Sequence, residues 1–329
     1  MRTLFAFWCF MLAALAPVAQ AQGQAPAQAP DGYPNKVITL VVPVPPGGAA
    51  DFIARLVGQK LSDALGQPVV VSNRGGAGGT IASDNVAKSP PDGYTVLQTV
   101  NGLSISPSLY KALPFDVEKD FIAVTQIVQS QLLLVANPKL EANNVAELIK
   151  LAKSKPGSLN YGSTGVGNPL SLTMEMLKSA AGIEVQAVTY RGDAPANAAL
   201  IAGEIQIGVM PMATTLPLVE SGQLKALAVG GAKRSPALPN VPTVAETIPG
   251  FDSTSWQGYF MPANTPREIV LRLQQETAKA LKQPDVIERL KAGGNEGVGS
   301  TPEEFDRVFR ADIVKFAKII ADAKIPKLD

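Results

Sequence analysis

The chain contains no histidine and a single cysteine, Cys9, among its 329 residues. The missing histidine removes the commonest general base, the Ser–His and Cys–His nucleophile systems and most zinc sites. Cys9 lies inside a segment with the marks of a secretory leader, so the processed chain is expected to have no thiol nucleophile, no thiolate ligand and no disulfide. Too little apolar sequence precedes Cys9 for it to be a lipidation site. An excess charge is lacking as well: Lys and Arg total 29 against 28 for Asp and Glu, and loss of Arg2 with the leader equalises them. That balance argues against nucleic-acid binding through bulk electrostatics. Aromatics are scarce, at 6%. Beyond the leader no apolar run approaches the ~20 residues that span a bilayer. What the chain does have is core material, 46% hydrophobic against 17% charged, enough for one two-lobed unit or two domains.

The leader spans residues 1–21. Arg2 supplies a positive start, Leu4–Leu15 an apolar stretch, and Ala19-Gln20-Ala21 an A-x-A cleavage site. The apolar stretch is too short for a membrane anchor, so export with cleavage after Ala21 is expected. Residues 22–32 read as a flexible tail.

The most informative stretch is 37–65, VITLVVPVPPGGAADFIARLVGQKLSDAL. The run Val37–Val42 is nearly all apolar, as in a strand buried on both faces of a parallel sheet. Pro43, Pro45, Pro46, Gly47 and Gly48 stop it. Phe52, Ile53, Leu56, Val57, Leu61 and Leu65 then recur at helical spacing until Gly66 and Pro68 end the helix. Strand, glycine turn and helix together present free backbone N–H groups at a helix N-terminus, a site that attracts anions without a basic side chain. A well-made turn with no ligand is the plain alternative, but similar turns recur.

Strand 69–71 opens into Asn73-Arg74-Gly75-Gly76-Ala77-Gly78-Gly79-Thr80, and strand 94–99 into a small-residue loop over Asn101–Pro107. Three strands thus end in donor-rich loops at one sheet edge, where ligands of open α/β sheets collect. Residues 121–136 read as β-rich sequence leaving one lobe for another, 145–154 as a helix, and 160–169 (NYGSTGVGNP) as a further glycine-rich turn before helix 170–181. Strand 185–190 ends in Arg191-Gly192-Asp193-Ala194-Pro195, helix 196–202 leads to strand 205–210, and 223–229 reads as the return to the first lobe. From Pro266 the pattern is helical: 267–281, 284–291 and 302–323.

The familiar catalytic motifs fail. Ser108-Leu109-Tyr110-Lys111 and Ser83-Asp84-Asn85 mimic β-lactamase strings, but K-T-G is absent and the order is reversed. Leu170 stands where a dinucleotide fingerprint needs its third glycine, and no glycine loop is followed by Lys-Ser or Lys-Thr. Asp51 and Asp193 each follow a glycine turn, where one acid per loop more often caps a helix than catalyses. What remains are neutral loops facing one another: Gly47, Gly48, Ser163, Thr164, Gly165 and Gly167 offer donors to an oxyanion. Arg191 is the candidate cation, with a solvated surface arginine as its alternative. This arrangement suits reversible capture of a small carboxylate more than bond-breaking.

These residues carry a resemblance. VVPVPPGGAADFIARLV, LGQPVVVSNRGGAGGTIASDNVAKSPPDGYT, Ser106-Pro107-Ser108-Leu109-Tyr110, LNYGSTGVGN, YRGDAPA, LPNVPTVAE and GSTPEEF, in that order, resemble the Bug (TctC-like) extracytoplasmic solute receptors of tripartite tricarboxylate transporters. The resemblance implies a two-lobed α/β Venus-flytrap fold of type II periplasmic-binding topology, each lobe a mixed sheet flanked by helices. It divides the chain into 33–128 plus 228–329 for the first lobe and 129–227 for the second. It implies a monomeric, non-enzymatic receptor in the periplasm, with no cofactor and no metal. Its partners would be a small mono- or dicarboxylic acid and membrane transporter subunits, or, as an alternative role, a sensor-kinase ectodomain. A secreted hydrolase or lyase is the weaker alternative. Carried onto this chain, the ligand would meet Pro46, Gly47, Gly48, Ala49 and Asp51 of the first loop. From the second lobe come Ser163, Thr164, Gly165, Gly167 and Asn168, with Tyr190, Arg191 and Gly192, and Asn101 and Ser104 complete the cleft. The chain departs from the family at Val44, usually aromatic, at Ala49-Ala50, near Leu172 where a histidine is common, and at Gln206, usually an acid. These departures point to a less polar acid, aromatic or aliphatic, in preference to citrate.

Overall fold

The computed structural model describes residues 32–165, 168–322 and 325–329; the expected leader and most of the tail lie outside them. In the first lobe, β1 (Ile38–Val42) is followed by α1 (Ala49–Leu65), β2 (Val69–Asn73), α2 (Thr80–Ala87), β3 (Thr95–Val100), α3 (Gly102–Leu109) and β4 (Phe121–Ser130). The second lobe holds β5 (Leu132–Ala136), α4 (Val145–Ser154), β6 (Asn160–Ser163), α5 (Pro169–Ala181), β7 (Gln186–Thr189), α6 (Asp193–Ala202), β8 (Ile207–Pro211), α7 (Met212–Glu220) and β9 (Lys225–Val229). The chain then returns through β10 (Ser255–Pro262), α8 (Arg267–Leu281), α9 (Pro284–Ala292), β11 (Asn295–Gly297) and α10 (Pro302–Asp322).

Two mixed sheets result. One has the order β11-β4-β10-β3-β1-β2 and the other β7-β6-β8-β5-β9. β1 runs parallel to β2 and β3, and β6 parallel to β7 and β8, while β10 and β5 enter antiparallel. Each sheet therefore has its own parallel half, and the carboxyl ends of those strands open toward the other lobe. The first crossing between sheets takes a single residue, Gln131, between β4 and β5. The second falls later than expected. Lys225–Val229 pairs antiparallel with β5 instead of returning to the first sheet, and Val244 and Phe251 still pack in the second lobe's core. We place that lobe boundary after Phe251.

Each element has a local cause. α1 buries Ile53, Leu56, Val57 and Leu61 against β1 and β3, burial worth ~1.5–3 kcal/mol per side chain. Gly66 in the left-handed conformation closes it. Asn144 caps α4 by accepting from the Glu147 N–H, and Gly182 and Gly203 end α5 and α6. The expected loop at 101–107 is helix α3. Pro107 deprives the Leu103 carbonyl of its helical donor, but the Ser106 hydroxyl donates to that carbonyl at 2.9 Å, and Leu103, Ile105 and Leu109 are buried. The lobes also touch through apolar contact: Leu172 of α5 is buried in a cluster with Ile105, Leu109, Phe316 and Ile320 of the first lobe. None of the described helices is long and apolar enough to cross a membrane.

Candidate functional site

Between the lobes lies a cavity of about 80 Å³, lined from one side by Val44, Ala49, Ala50 and Val100 and from the other by Thr164, Asn168, Pro169, Leu170, Gly192, Asp193, Pro211 and Met212. Ser130, Leu132, Ser255, Gln257 and Asn295 complete it at the crossing strands. The volume suits several waters or a small organic molecule. α1, α5, α6 and α7 all begin at this cavity, each just after a strand that points into it. Gly48, Gly192 and Pro211 precede three of these helices without giving any side-chain cap. The first-turn N–H groups of those helices therefore get no acceptor from their own N-cap side chain; the Ala49 N–H is taken by Asp193 of the other lobe and the Met212 N–H by the Gln131 carbonyl. Four partial positive ends face one space, whose lining includes no Lys or Arg among the described residues.

The first loop is held by the lobe it belongs to. Asp51, buried, accepts from the Gly47 N–H at 3.0 Å, Asn73 Nδ2 at 3.0 Å and Arg55 Nε at 3.0 Å. Burial pushes the Asp51 carboxyl up, but the bonds from Arg55, Gly47 and Asn73 outweigh it and hold the group below the ordinary carboxylate range. Asp51 thus shapes the loop and turns its oxygens away from the ligand space. Gln98 on β3 steadies the first turn of α1, donating through Nε2 to the Ala50 carbonyl at 2.9 Å and to Gln257 Oε1 at 3.0 Å.

The second lobe reaches across. Asp193 opens α6, yet its Oδ2 accepts the Ala49 N–H of α1 at 3.3 Å as well as the Thr214 hydroxyl at 3.1 Å. A carboxylate of one lobe therefore sits at the helix N-terminus of the other. Gly48 makes room: a Cβ there would stand 2.8 Å from Asp193 Oδ1. On the neighbouring loop Ser163 Oγ pairs with Ser171 Oγ at 2.8 Å and accepts the Gly165 N–H at 3.3 Å. Asn168 caps α5 through the Leu170 N–H at 2.9 Å. The Thr164 hydroxyl is buried and finds no partner among the described residues, in a side chain that lines the cavity.

Of the expected residues, Ala49, Thr164, Asn168 and Gly192 line the cavity together. Pro46 and Gly47 are exposed at the loop tip. Ser163, Gly165 and Tyr190 stand just behind the lining; the Tyr190 N–H donates to the Ser163 carbonyl and its ring packs on the second core. Gly167 lies outside the described residues. Arg191 is exposed and outside the lining.

Asn101 and Ser104 also stand apart from the cavity. Asn101 Nδ2 donates to Asp312 at 2.9 Å while its Oδ1 accepts from Ser255 Oγ at 2.7 Å and the Trp256 N–H at 3.0 Å. Ser104 turns back to the Asn101 carbonyl. These bonds tie α3, β10 and α10 beneath the cavity floor. Gln206 accepts the Asn160 N–H at the opposite end of the second sheet, so that departure from the family does not reach the ligand space. Leu172 likewise packs between lobes. The floor residues Ser130, Ser255, Gln257 and Asn295 carried no sequence signal beyond being polar in apolar strands. Asp193 was legible as a cap, though not as the cap of a distant helix.

Residues 53–325 match the family model described as the tripartite tricarboxylate transporter family receptor. A protein of Pseudomonas sp. strain P51, from the tcbD–tcbE intergenic region, is 38% identical over 301 residues, covering 91% of this chain and 90% of that one. BugT of Bordetella pertussis is 34% identical over 93% of this chain and 94% of its own length. Among solved structures, R. palustris Rpa4515 with adipate superposes with a TM-score of 0.86 at 36% identity, covering 90% of this chain and all of that one. MatC from Rhodopseudomonas palustris with bound malate gives 0.84 at 29%, covering 88% and 100%. The matching family and these structural neighbours are solute-binding proteins, not enzymes, and two lobes meeting over helix N-termini are the build of such a receptor. By sequence and by fold the chain belongs to the Bug/TctC family of periplasmic receptors.

Proposed function

We propose that this receptor closes its lobes on a small mono- or dicarboxylic acid, reaches the periplasm by cleavage after Ala21, and delivers the acid to the membrane subunits of a tripartite transporter. The observation that carries the reading is the convergence of four helix N-termini on a cavity whose lining, among the described residues, includes no basic side chain. Main-chain N–H groups at helix starts hold an oxyanion without an ion pair to break on release. The Thr164 hydroxyl supplies a further donor. Adipate and malate in the two R. palustris relatives are the same chemical class.

The walls refine the class. Val44, Ala50, Val100, Leu132, Leu170 and Met212 are apolar, so the carbon chain of the ligand is buried rather than hydrogen-bonded. An acid with an aliphatic or aromatic body fits better than citrate, whose three charges would find no cation. A panel of acids tested by thermal shift and calorimetry decides this: benzoate-type and aliphatic acids should raise the melting temperature, with citrate weaker. Tighter binding of citrate would overturn the choice of acid, and a flat response to every carboxylate would overturn the receptor reading. Mass spectrometry of the exported protein should find Gln22 at its N-terminus.

A further inference from the structure

Asp193 is the one charged side chain lining the cavity among the described residues. It is 9% exposed and has no Lys or Arg within ion-pair distance among them. Its Oδ2 is occupied by Ala49 and Thr214, whereas Oδ1 has no hydrogen-bond donor among the described residues and faces Gly48. A buried carboxylate normally has a cation or a full set of donors. Here half of that set is absent, in a side chain that lines the ligand space. At the same time Asp193 already uses one of the N–H groups, that of Ala49, which an incoming carboxylate would otherwise take.

From this geometry we propose that Asp193 sets the charge pattern of the ligand: the cleft selects an acid with one carboxylate and, toward Asp193, a hydrogen-bond donor such as a hydroxyl or ammonium group, over an acid whose second carboxylate would face it. This rests on the carboxylate-receptor reading and narrows it. The ligand's carboxylate goes to the donors Asp193 leaves free, first among them the Thr164 hydroxyl, unpartnered among the described residues. A donor on the ligand completes the coordination of Oδ1. A second carboxylate meets a fixed like charge in a confined space, and such repulsion discriminates against the wrong partner. Gly48 belongs to the same device, since its missing side chain lets the Asp193 carboxylate enter.

The test is calorimetry at neutral pH with matched acids of four to six carbons: the dicarboxylates succinate, glutarate and adipate, their ω-amino monocarboxylates, and 2-hydroxy and 2-amino monocarboxylates. The wild-type protein should bind the best donor-bearing monocarboxylate at least ~10-fold more tightly than any of the dicarboxylates. Asp193→Asn keeps an acceptor for the Ala49 N–H and removes the charge, so in that variant the ratio should fall by about tenfold or invert. Tighter binding of a dicarboxylate by the wild type overturns the proposal, and so does a ratio unchanged in Asp193→Asn. The wild-type ratio needs no variant, so poor folding of Asp193→Asn would not shield the idea. Acids that bind without regard to charge sink this inference alone, whereas acids that fail to bind at all sink the carboxylate reading with it.

Discussion

Asp51 and Asp193 follow glycine turns of similar sequence, Pro46-Gly47-Gly48-Ala49-Ala50-Asp51 and Arg191-Gly192-Asp193, and stand in the first turns of facing helices. Their work differs. Asp51 is satisfied entirely inside its own lobe, by Gly47, Arg55 and Asn73. Asp193 divides its bonds between Thr214 of its own lobe and Ala49 of the opposite lobe, 144 residues away in sequence. One aspartate fixes the shape of a binding loop and the other joins two rigid bodies. Loss of the first should therefore cost folding stability, and loss of the second should alter closure and ligand choice.

The largest effect expected is at Asp51. Asp51→Ala strips acceptors from the Gly47 N–H and the Asn73 amide at once, and leaving such groups unpaired costs about 2–3 kcal/mol. For a chain of this size that is a fall of roughly 3–5 °C in melting temperature. The sign with pH follows from the lowered Asp51 pKa. The stabilisation is present above the unfolded carboxylate value of about 3.9 and disappears as pH falls through the folded one. The gap between wild type and variant should narrow in acid. A gap that stayed constant from neutral pH to pH 3 would show that Asp51 acts through shape and not charge.

Gly48→Ala probes the other side of the comparison. Its backbone, φ −82° and ψ 170°, is extended and open to alanine, so folding should be spared. The new Cβ would meet Asp193 Oδ1 at 2.8 Å, and the lobes could no longer close as they do here. Ligand affinity should drop roughly tenfold, ~1.4 kcal/mol, with the melting temperature of the free protein unchanged. In an Asp193→Ala background the same substitution should cost little, a coupling that a double-mutant cycle measures. Strict additivity would mean the two residues do not meet in the bound form.

Gly47→Ala should do the reverse on a smaller scale. Gly47 has φ +87° with nothing near its missing side chain. Alanine there strains only the backbone, about 1 kcal/mol, and lowers the melting temperature by about 1–2 °C without changing affinity. Adjacent glycines would then differ for reasons invisible in the letters G-G.

That contrast marks what a linear reading can reach. The β1–α1 unit was legible because one apolar run, a proline-glycine stop and a helical repeat all fall within thirty residues. α3 was not, because Asn101-Gly102 and Pro107 have loop chemistry, and the compensating Ser106 hydroxyl bond is a matter of side-chain geometry. The cavity floor was hidden more deeply. Ser255 meets Asn101 across 154 residues and Gln257 meets Gln98 across 159, and no local period encodes such partners. Arg191, read as a candidate cation or a solvated surface arginine, is exposed and outside the cavity lining, whereas the helix starts that the glycine turns announced do border the cavity.

The smallest effect lies beneath the floor, where Asp312 joins the first lobe's elements as Asp193 joins the lobes. Asp312 Oδ2 accepts from Trp256 Nε1 at 2.7 Å and from Asn101 Nδ2 at 2.9 Å. Burial raises the Asp312 carboxyl above its ordinary range, against the Trp256 and Asn101 bonds and the Lys315 charge that lower it. The folded state therefore takes up a proton before the unfolded chain does, and this group's contribution to stability grows as pH falls through the raised value, opposite in sign to Asp51. Trp256 is the only tryptophan beyond residue 21, and its indole N–H contacts the titrating carboxylate, so its emission reports the event directly. Wild-type fluorescence should titrate with a midpoint above about 3.9, a step absent in Asp312→Asn. Because Ser255 and Gln257, on either side of Trp256, line the cavity, bound acid should shift that midpoint. If the midpoint stays fixed under saturating ligand, the floor is electrostatically separate from the cleft, and joining within a lobe is uncoupled from joining between lobes.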